Sequence, residues 1–213
     1  MATPAASRAN PPRESWAGNS PLRGAARQRL IEAAGRCVVR DGLPATTLSS
    51  VASEAGVSRP TVYRYFEDVH ALISATLLDA GRSLGGDLAR HLRAWREPRR
   101  MAVEAMLYVL NEVPRSPLLS AMWSSTALDA EMLADFSRPG VLAMAREALD
   151  RLVKAASWSD EEADECVEWM LRVLLSLLVA PAPQRSEEQL RGLLERRLAP
   201  VLAPAPNRKG GRR

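Results

Sequence analysis

Between Thr46 and Phe66 the chain reads TTLSSVASEAGVSRPTVYRYF, a run in which one glycine and one proline leave few backbone paths. Leu48, Val51, Ala52 and Ala55 fall on one face of a helix of period 3.6. Thr47 carries the hydroxyl an N-cap needs. Gly56 can take the positive φ that stops a helix. Val57 points inward in the turn. Ser58 then stands at the next N-cap, and Pro60 falls in the first turn, where its missing N–H does no harm. Val62 and Phe66, four apart, are the inward positions of this second helix. Two short helices about a turn of roughly three or four residues containing Gly make a helix-turn-helix. In that motif the first helix crosses the phosphate backbone and the second lies in the major groove.

The outward residues of the second helix suit that groove. Arg59, Thr61, Tyr63, Arg64 and Tyr65 face away from the pair. Arg can address guanine O6 and N7 together, and the Thr methyl can touch a thymine methyl. Tyr hydroxyls and Arg donate to phosphate. The helix N-termini at Thr47 and Ser58 present free N–H groups to phosphate. No acid lies between Val57 and Tyr65; Glu67 and Asp68 come only afterwards. Over residues 21–66 the cations Arg23, Arg27, Arg29, Arg36, Arg40, Arg59 and Arg64 outnumber Glu32, Asp41 and Glu54. The candidate DNA-binding residues are therefore Thr47, Ser58, Arg59, Pro60, Thr61, Tyr63, Arg64 and Tyr65.

The rest of the chain reads as all-α, with about nine helices in all. Leu, Ala, Glu and Arg dominate and favour helix, and no strand or hairpin alternation is found. A first helix starts near Pro21, with Ala26, Leu30, Ala33, Ala34, Cys37 and Val38 inward; Gly42 and Pro44 close it. A fourth starts near Asp68, with Val69, Leu72, Ile73, Thr76 and Leu77 as its buried stripe. It is expected to loosen around Gly81, Gly85 and Gly86, which marks a domain boundary. Helices are expected over about 86–96, from Pro98 to Pro114, around Leu118–Trp123 and over about 126–136 with a stop at Arg138-Pro139-Gly140, followed by a long one to about Ala156 with Val141, Met144, Ala148, Leu152 and Ala155 inward. Two more follow: one capped by Ser159 with acids in its first turns, and one from Ser186. The expected organisation is a disordered arm (1–20), a DNA-binding unit (21–80, motif about 46–65), a C-terminal ligand-binding and dimerisation unit (81–203) and a basic flexible tail (204–213).

Other functions are disfavoured. His70 and His91 are isolated, and no Ser/His/Asp or metal-binding constellation is found, so no catalytic residue, metal or cofactor is expected. Cys37 and Cys166 lie in apolar helical patterns and read as reduced thiols of a cytoplasmic protein. The longest apolar run, Val173 to Ala180, is far short of the ~20 residues that span a bilayer. A net charge of +4 permits an anionic partner without demanding one.

From Arg27 to about Leu78 the sequence, RQRLIEAAGRCVVRDGLPATTLSSVASEAGVSRPTVYRYFEDVHALISATLL, resembles the DNA-binding domain of TetR-family transcriptional regulators. The resemblance implies an all-α homodimer with three N-terminal helices on DNA, an inducer pocket in a larger C-terminal domain, and a dimeric four-helix bundle made by the last two long helices. By position it assigns DNA contacts to Thr47, Ser58, Arg59, Thr61, Tyr63 and Tyr65. The family often has a Lys near the start of the fourth helix to hold a phosphate; here Val69 stands there, so that contact is missing.

This reading makes the chain a repressor that binds a palindromic operator in double-stranded DNA as a homodimer and is released by a small hydrophobic effector. The alternative is a sequence-neutral dimeric DNA-binding protein without an inducer. Coupling is expected through the fourth helix. Candidate pocket residues are Met101, Met106, Tyr108, Met122, Trp123, Phe136, Met144 and Trp169. Candidate dimer residues are Val167, Met170, Leu171, Leu174, Leu178, Leu190, Leu194 and Leu198, because the first C-terminal helix carries Leu175 and Leu177 beside its main stripe, more apolar surface than one neighbour covers.

Overall fold

A computed structural model describes residues 21–123, 139–180 and 185–198. The expected arm, the expected helix over 126–136, Phe136, the side chain of Trp123 and the basic tail lie outside them. Among the described residues there are ten α-helices and no strand. They are α1 (Pro21–Asp41), α2 (Leu48–Ala55), α3 (Arg59–Tyr63), α4 (Val69–His91), α5 (Pro98–Arg115), α6 (Pro117–Trp123), α7 (Pro139–Ala148), α8 (Asp150–Ala156), α9 (Asp160–Val179) and α10 (Glu187–Leu198), with a 3-10 turn at Leu92–Ala94.

α1 to α3 pack with the start of α4 around one core that includes Leu30, Ala34, Cys37, Val51, Val62, Phe66 and Leu72. The local signals in the sequence account for the geometry. Thr47 closes a capping box: its Oγ1 accepts the Ser50 N–H at 3.1 Å, and the Ser50 hydroxyl accepts the Thr47 N–H at 2.9 Å. Gly56 sits at φ 67°, ψ 33°, the left-handed conformation that only glycine takes freely. Asp68 caps α4 by accepting the Ala71 N–H at 2.7 Å. Thr47→Ala is expected to lower the unfolding free energy of this unit by about 1 kcal/mol, and Thr47→Ser to leave it nearly unchanged. Urea denaturation followed by helical circular dichroism measures both.

Two expectations about α4 are corrected. The helix does not loosen at Gly81, Gly85 and Gly86 but runs unbroken from Val69 to His91. Gly81 and Gly85 let α7 approach: a Cβ on Gly85 would stand 3.2 Å from the Ala148 Cβ, and one on Gly81 would stand 2.9 Å from the Met144 Cε, whereas Gly86 faces open space. Close packing between helices outweighs the roughly 1 kcal/mol that each glycine costs a helix interior. Val69 is not buried. As the first residue of α4 it is 38% exposed, and the inward stripe begins at Leu72.

The C-terminal unit packs α5, α7, α8, α9 and α10 about a second core that includes Leu92, Met101, Leu152, Val167 and Leu198. The long helix expected after the stop at Arg138-Pro139-Gly140 is two helices meeting at Leu149, the first of them beginning at Pro139 itself, and Ala155 is exposed rather than inward. Ser159 and Glu162 form a capping box at the start of α9. Arg146 of α7 bonds Asp160 and Asp164 at 2.5 Å each and so fixes α7 to α9. Arg191 of α10 pairs with the buried Glu104 of α5.

Candidate nucleic-acid interface and internal cavity

α3 projects from the N-terminal unit with one buried side chain, Val62. Ser58, Arg59, Pro60, Tyr63 and Arg64 are exposed, with Tyr63 at 55%. Among the described residues Arg59 and Arg64 make no ion pair, so both guanidinium groups are available to an anion. Thr61 is half-buried. Ser58 occupies the N-cap position, but its hydroxyl bonds the Thr61 hydroxyl at 2.9 Å rather than capping a backbone N–H. The Ser58 hydroxyl thus leaves the Arg59 N–H uncapped, while Pro60 has no N–H and the Thr61 N–H bonds the Ser58 carbonyl at 2.9 Å. Arg64 and Tyr65 lie just past the end of α3. Tyr65 packs partly against the N-terminal core, which fixes its ring. Thr47 is exposed at the start of α2, its hydroxyl already engaged by Ser50.

Not every cation counted in the sequence is free. Arg36 binds Glu54 at 2.7 Å, and Arg40 binds Glu54 at 2.6 Å and Asp41 at 2.8 Å. These bonds, Arg36 first, hold the Glu54 carboxyl below the usual carboxylate range. Arg36 and Arg40 thus tie α1 to α2 and add little net positive charge, which shifts the available charge toward α3. Arg27 lies over the Phe66 ring at 4.9 Å and braces the far end of the reading segment.

An elongated cavity of about 140 Å³ lies behind this unit, between α4, α5, α7 and α9. Of the candidate pocket residues, Met106 and Met144 line it. Met101 is fully buried in the C-terminal core, and Met122 packs with Val38, Leu43 and Ile73. The Tyr108 ring lies 4.8 Å from that of His91, and Trp169 packs partly against the C-terminal core. The sequence reading missed the α4 wall (Leu77, Gly81, Leu84, Gly85, Leu88) because the glycines there resembled a boundary.

The candidate dimer residues mostly face their own chain. Val167, Met170, Leu194 and Leu198 are buried in its core, which leaves them no area for a partner. Leu171, Leu174 and Leu178 line the cavity, and Leu190 packs partly on the core.

Two physical links join the cavity to the reading unit. α4 carries Leu72 into the N-terminal core and Leu77 to Leu88 into the cavity wall, and the Gln28 amide of α1 donates to Asp79 of α4 at 3.1 Å. α6 is the second link. Leu118 packs against Gly35 and against the cluster of Val38, Leu43 and Ile73, while its neighbour Leu119 lines the cavity. Among the described residues no group of His, Cys, Asp and Glu could hold a metal ion, and no helix is long and apolar enough to cross a membrane.

Comparison with known proteins agrees with this arrangement. The family described as "Bacterial regulatory proteins, tetR family" matches residues 30–76. An uncharacterised HTH-type transcriptional regulator of Mycobacterium tuberculosis strain H37Rv is 26% identical over 182 residues, covering 84% of this chain and 87% of the relative. The HTH-type transcriptional regulator BetI of Burkholderia cenocepacia is 32% identical over 147 residues, covering 59% of this chain and 75% of the relative. In fold the chain is similar to the TetR family repressor AlkX of Dietzia sp. strain DQ12-45-1b (TM-score 0.64, 21% identity, 83% and 94% of the two chains). It is also similar to the transcriptional repressor QsdR of R. erythropolis (TM-score 0.63, 20% identity, 88% and 99%). With the reading head, its glycine turn and the helical C-terminal unit all in place, the chain belongs to the tetR family of bacterial regulatory proteins and is a DNA-binding transcriptional regulator rather than an enzyme.

Proposed function

We propose that this regulator is a repressor, that it binds a palindromic operator as a homodimer, and that a small apolar ligand in the internal cavity releases it. The observation that carries this reading is the sharing of α4: one continuous helix packs into the reading unit and walls the cavity. A ligand acts only through differential affinity for two arrangements. Filling the cavity favours a position of α4 and α6 in which paired recognition helices no longer fit successive major grooves. Two-fold pairing of the protein requires two-fold symmetry in the operator. The surface for the partner draws on the half-buried side chains of α9 and α10, among them Val173, Leu174, Leu177, Leu190 and Leu193, with Val179 49% exposed.

Selection of genomic DNA fragments by the purified protein at physiological salt tests the reading. Enrichment of an inverted repeat with half-site centres about one helical turn apart, or a multiple of that, is the expected outcome. Binding with no sequence preference and a steep salt dependence would identify the sequence-neutral alternative.

A further inference from the structure

The shape and chemistry of the cavity narrow the ligand further. On α4 its lining runs from Leu77 to Leu88, and on α9 from Val167 to Leu178. At 1.5 Å per residue each wall is about 16 Å long. The free volume is only about 140 Å³, so the space is a narrow slot rather than a round chamber. One side of the slot is closed by direct helix contact, where Gly81 and Gly85 of α4 pack against Met144 and Ala148 of α7. Among the described residues that line it, every side chain is Leu, Val, Met or Ala, apart from the two glycines. None can donate or accept a strong hydrogen bond, carry a charge, or offer an aromatic face for stacking. Apolar walls of this kind gain by taking apolar atoms out of water. Met106, Met144 and Met170 come from three different helices, and unbranched thioether side chains adjust to an irregular occupant.

From this geometry we infer that the slot holds an unbranched saturated hydrocarbon chain of roughly a dozen carbons, and that any polar head group stays outside it. A fully extended hydrocarbon chain advances about 1.3 Å per C–C bond, so about 16 Å accepts about a dozen bonds. A fused ring system occupies one end of the slot and leaves the remainder empty. Among the described lining residues a charged group has nothing to pair with, and burying it unpaired is strongly unfavourable. This inference rests on the reading of the cavity as the effector site, and the test separates the two.

Direct binding of 1-hexanol to 1-hexadecanol and of 2-naphthol to the full-length protein is measured by calorimetry below the solubility limit of each probe. Operator release is measured separately by fluorescence anisotropy. Affinity is expected to rise about fourfold per methylene, the ratio set by transferring one CH₂ out of water, and to level off near a dozen carbons. Two variants of opposite sign, each checked by circular dichroism, move that limit. Ala145→Leu narrows the slot and should bring the limit down by about three carbons, the number the larger side chain adds. Leu84→Ala should move it up by a similar amount. Opposite shifts support the inference. It is overturned by 2-naphthol binding as tightly as 1-dodecanol, by no alkanol binding at all, or by a limit that stays fixed in both folded variants. Alkanol binding without operator release supports the hydrocarbon slot and overturns the release reading. Release by 2-naphthol with no alkanol binding does the reverse.

Discussion

Arg191→Ala is expected to lower the unfolding free energy of the C-terminal unit by about 3 kcal/mol. The cause is the carboxylate that it strands. Glu104 sits on α5 among Met101, Val103 and Met106, with its side chain only 8% exposed, and it pairs with Arg191. The Arg191 side chain is 33% exposed and is also reached by Glu187 at 3.4 Å, so its own burial contributes less. Removing the guanidinium leaves the buried charge without its partner, whereas replacing both groups by apolar side chains removes the charge as well. The Glu104→Met/Arg191→Met double variant should therefore regain most of the loss. Urea unfolding followed by the fluorescence of Trp95, Trp158 and Trp169, which all belong to this core or pack on it, reads both variants. A loss within 0.5 kcal/mol of zero for Arg191→Ala would mean that water solvates Glu104 in place of the pair.

Arg59→Ala and Arg64→Ala are expected to weaken DNA binding in different ways. Arg59 opens α3, exposed and unpaired among the described residues, at the end of the helix that reads base edges. Its loss should relax preference at one base pair in each half-site by about 1–3 kcal/mol. Arg64 follows the helix and is suited to phosphate. Its loss should weaken all sequences alike and reduce the slope of log affinity against log salt by about one per site. Titrating both variants against the operator, its single-base variants and unrelated DNA, at several salt concentrations, distinguishes the roles. Identical behaviour of the two variants would mean the assignment is wrong. Val69 bears on the same question. It is exposed at the first position of α4 and offers no cation there, so the expected loss for Arg64→Ala is the larger.

Signals confined to a few neighbouring residues were legible. The inward set of α1 to α3 follows from period 3.6, and the turn follows from Thr47, Gly56 and Pro60. What Ser58 does was not legible: only the placed side chains show its hydroxyl engaged with Thr61 instead of the backbone. Nor could the sequence tell that Arg36 and Arg40 are absorbed by Glu54 and Asp41, because helix positions on α1 and α2 do not reveal which of them meet.

The sequence by itself determined the all-helical character, the helix-turn-helix and most of the side chains that α3 exposes. Caps, a left-handed glycine and helical periodicity act within one or two turns, and such information survives in a linear string. Tertiary structure decided the rest. Gly81 and Gly85 are helix breakers by propensity and become a packing face only because α7 lies against them. The leucine stripe of α9 looked like a surface for a partner chain, yet Val167 and Met170 fill their own core and Leu171, Leu174 and Leu178 wall a slot. The slot is empty space bounded by side chains far apart in sequence. No local rule encodes it, because it exists only once α4, α5, α7 and α9 have been brought together.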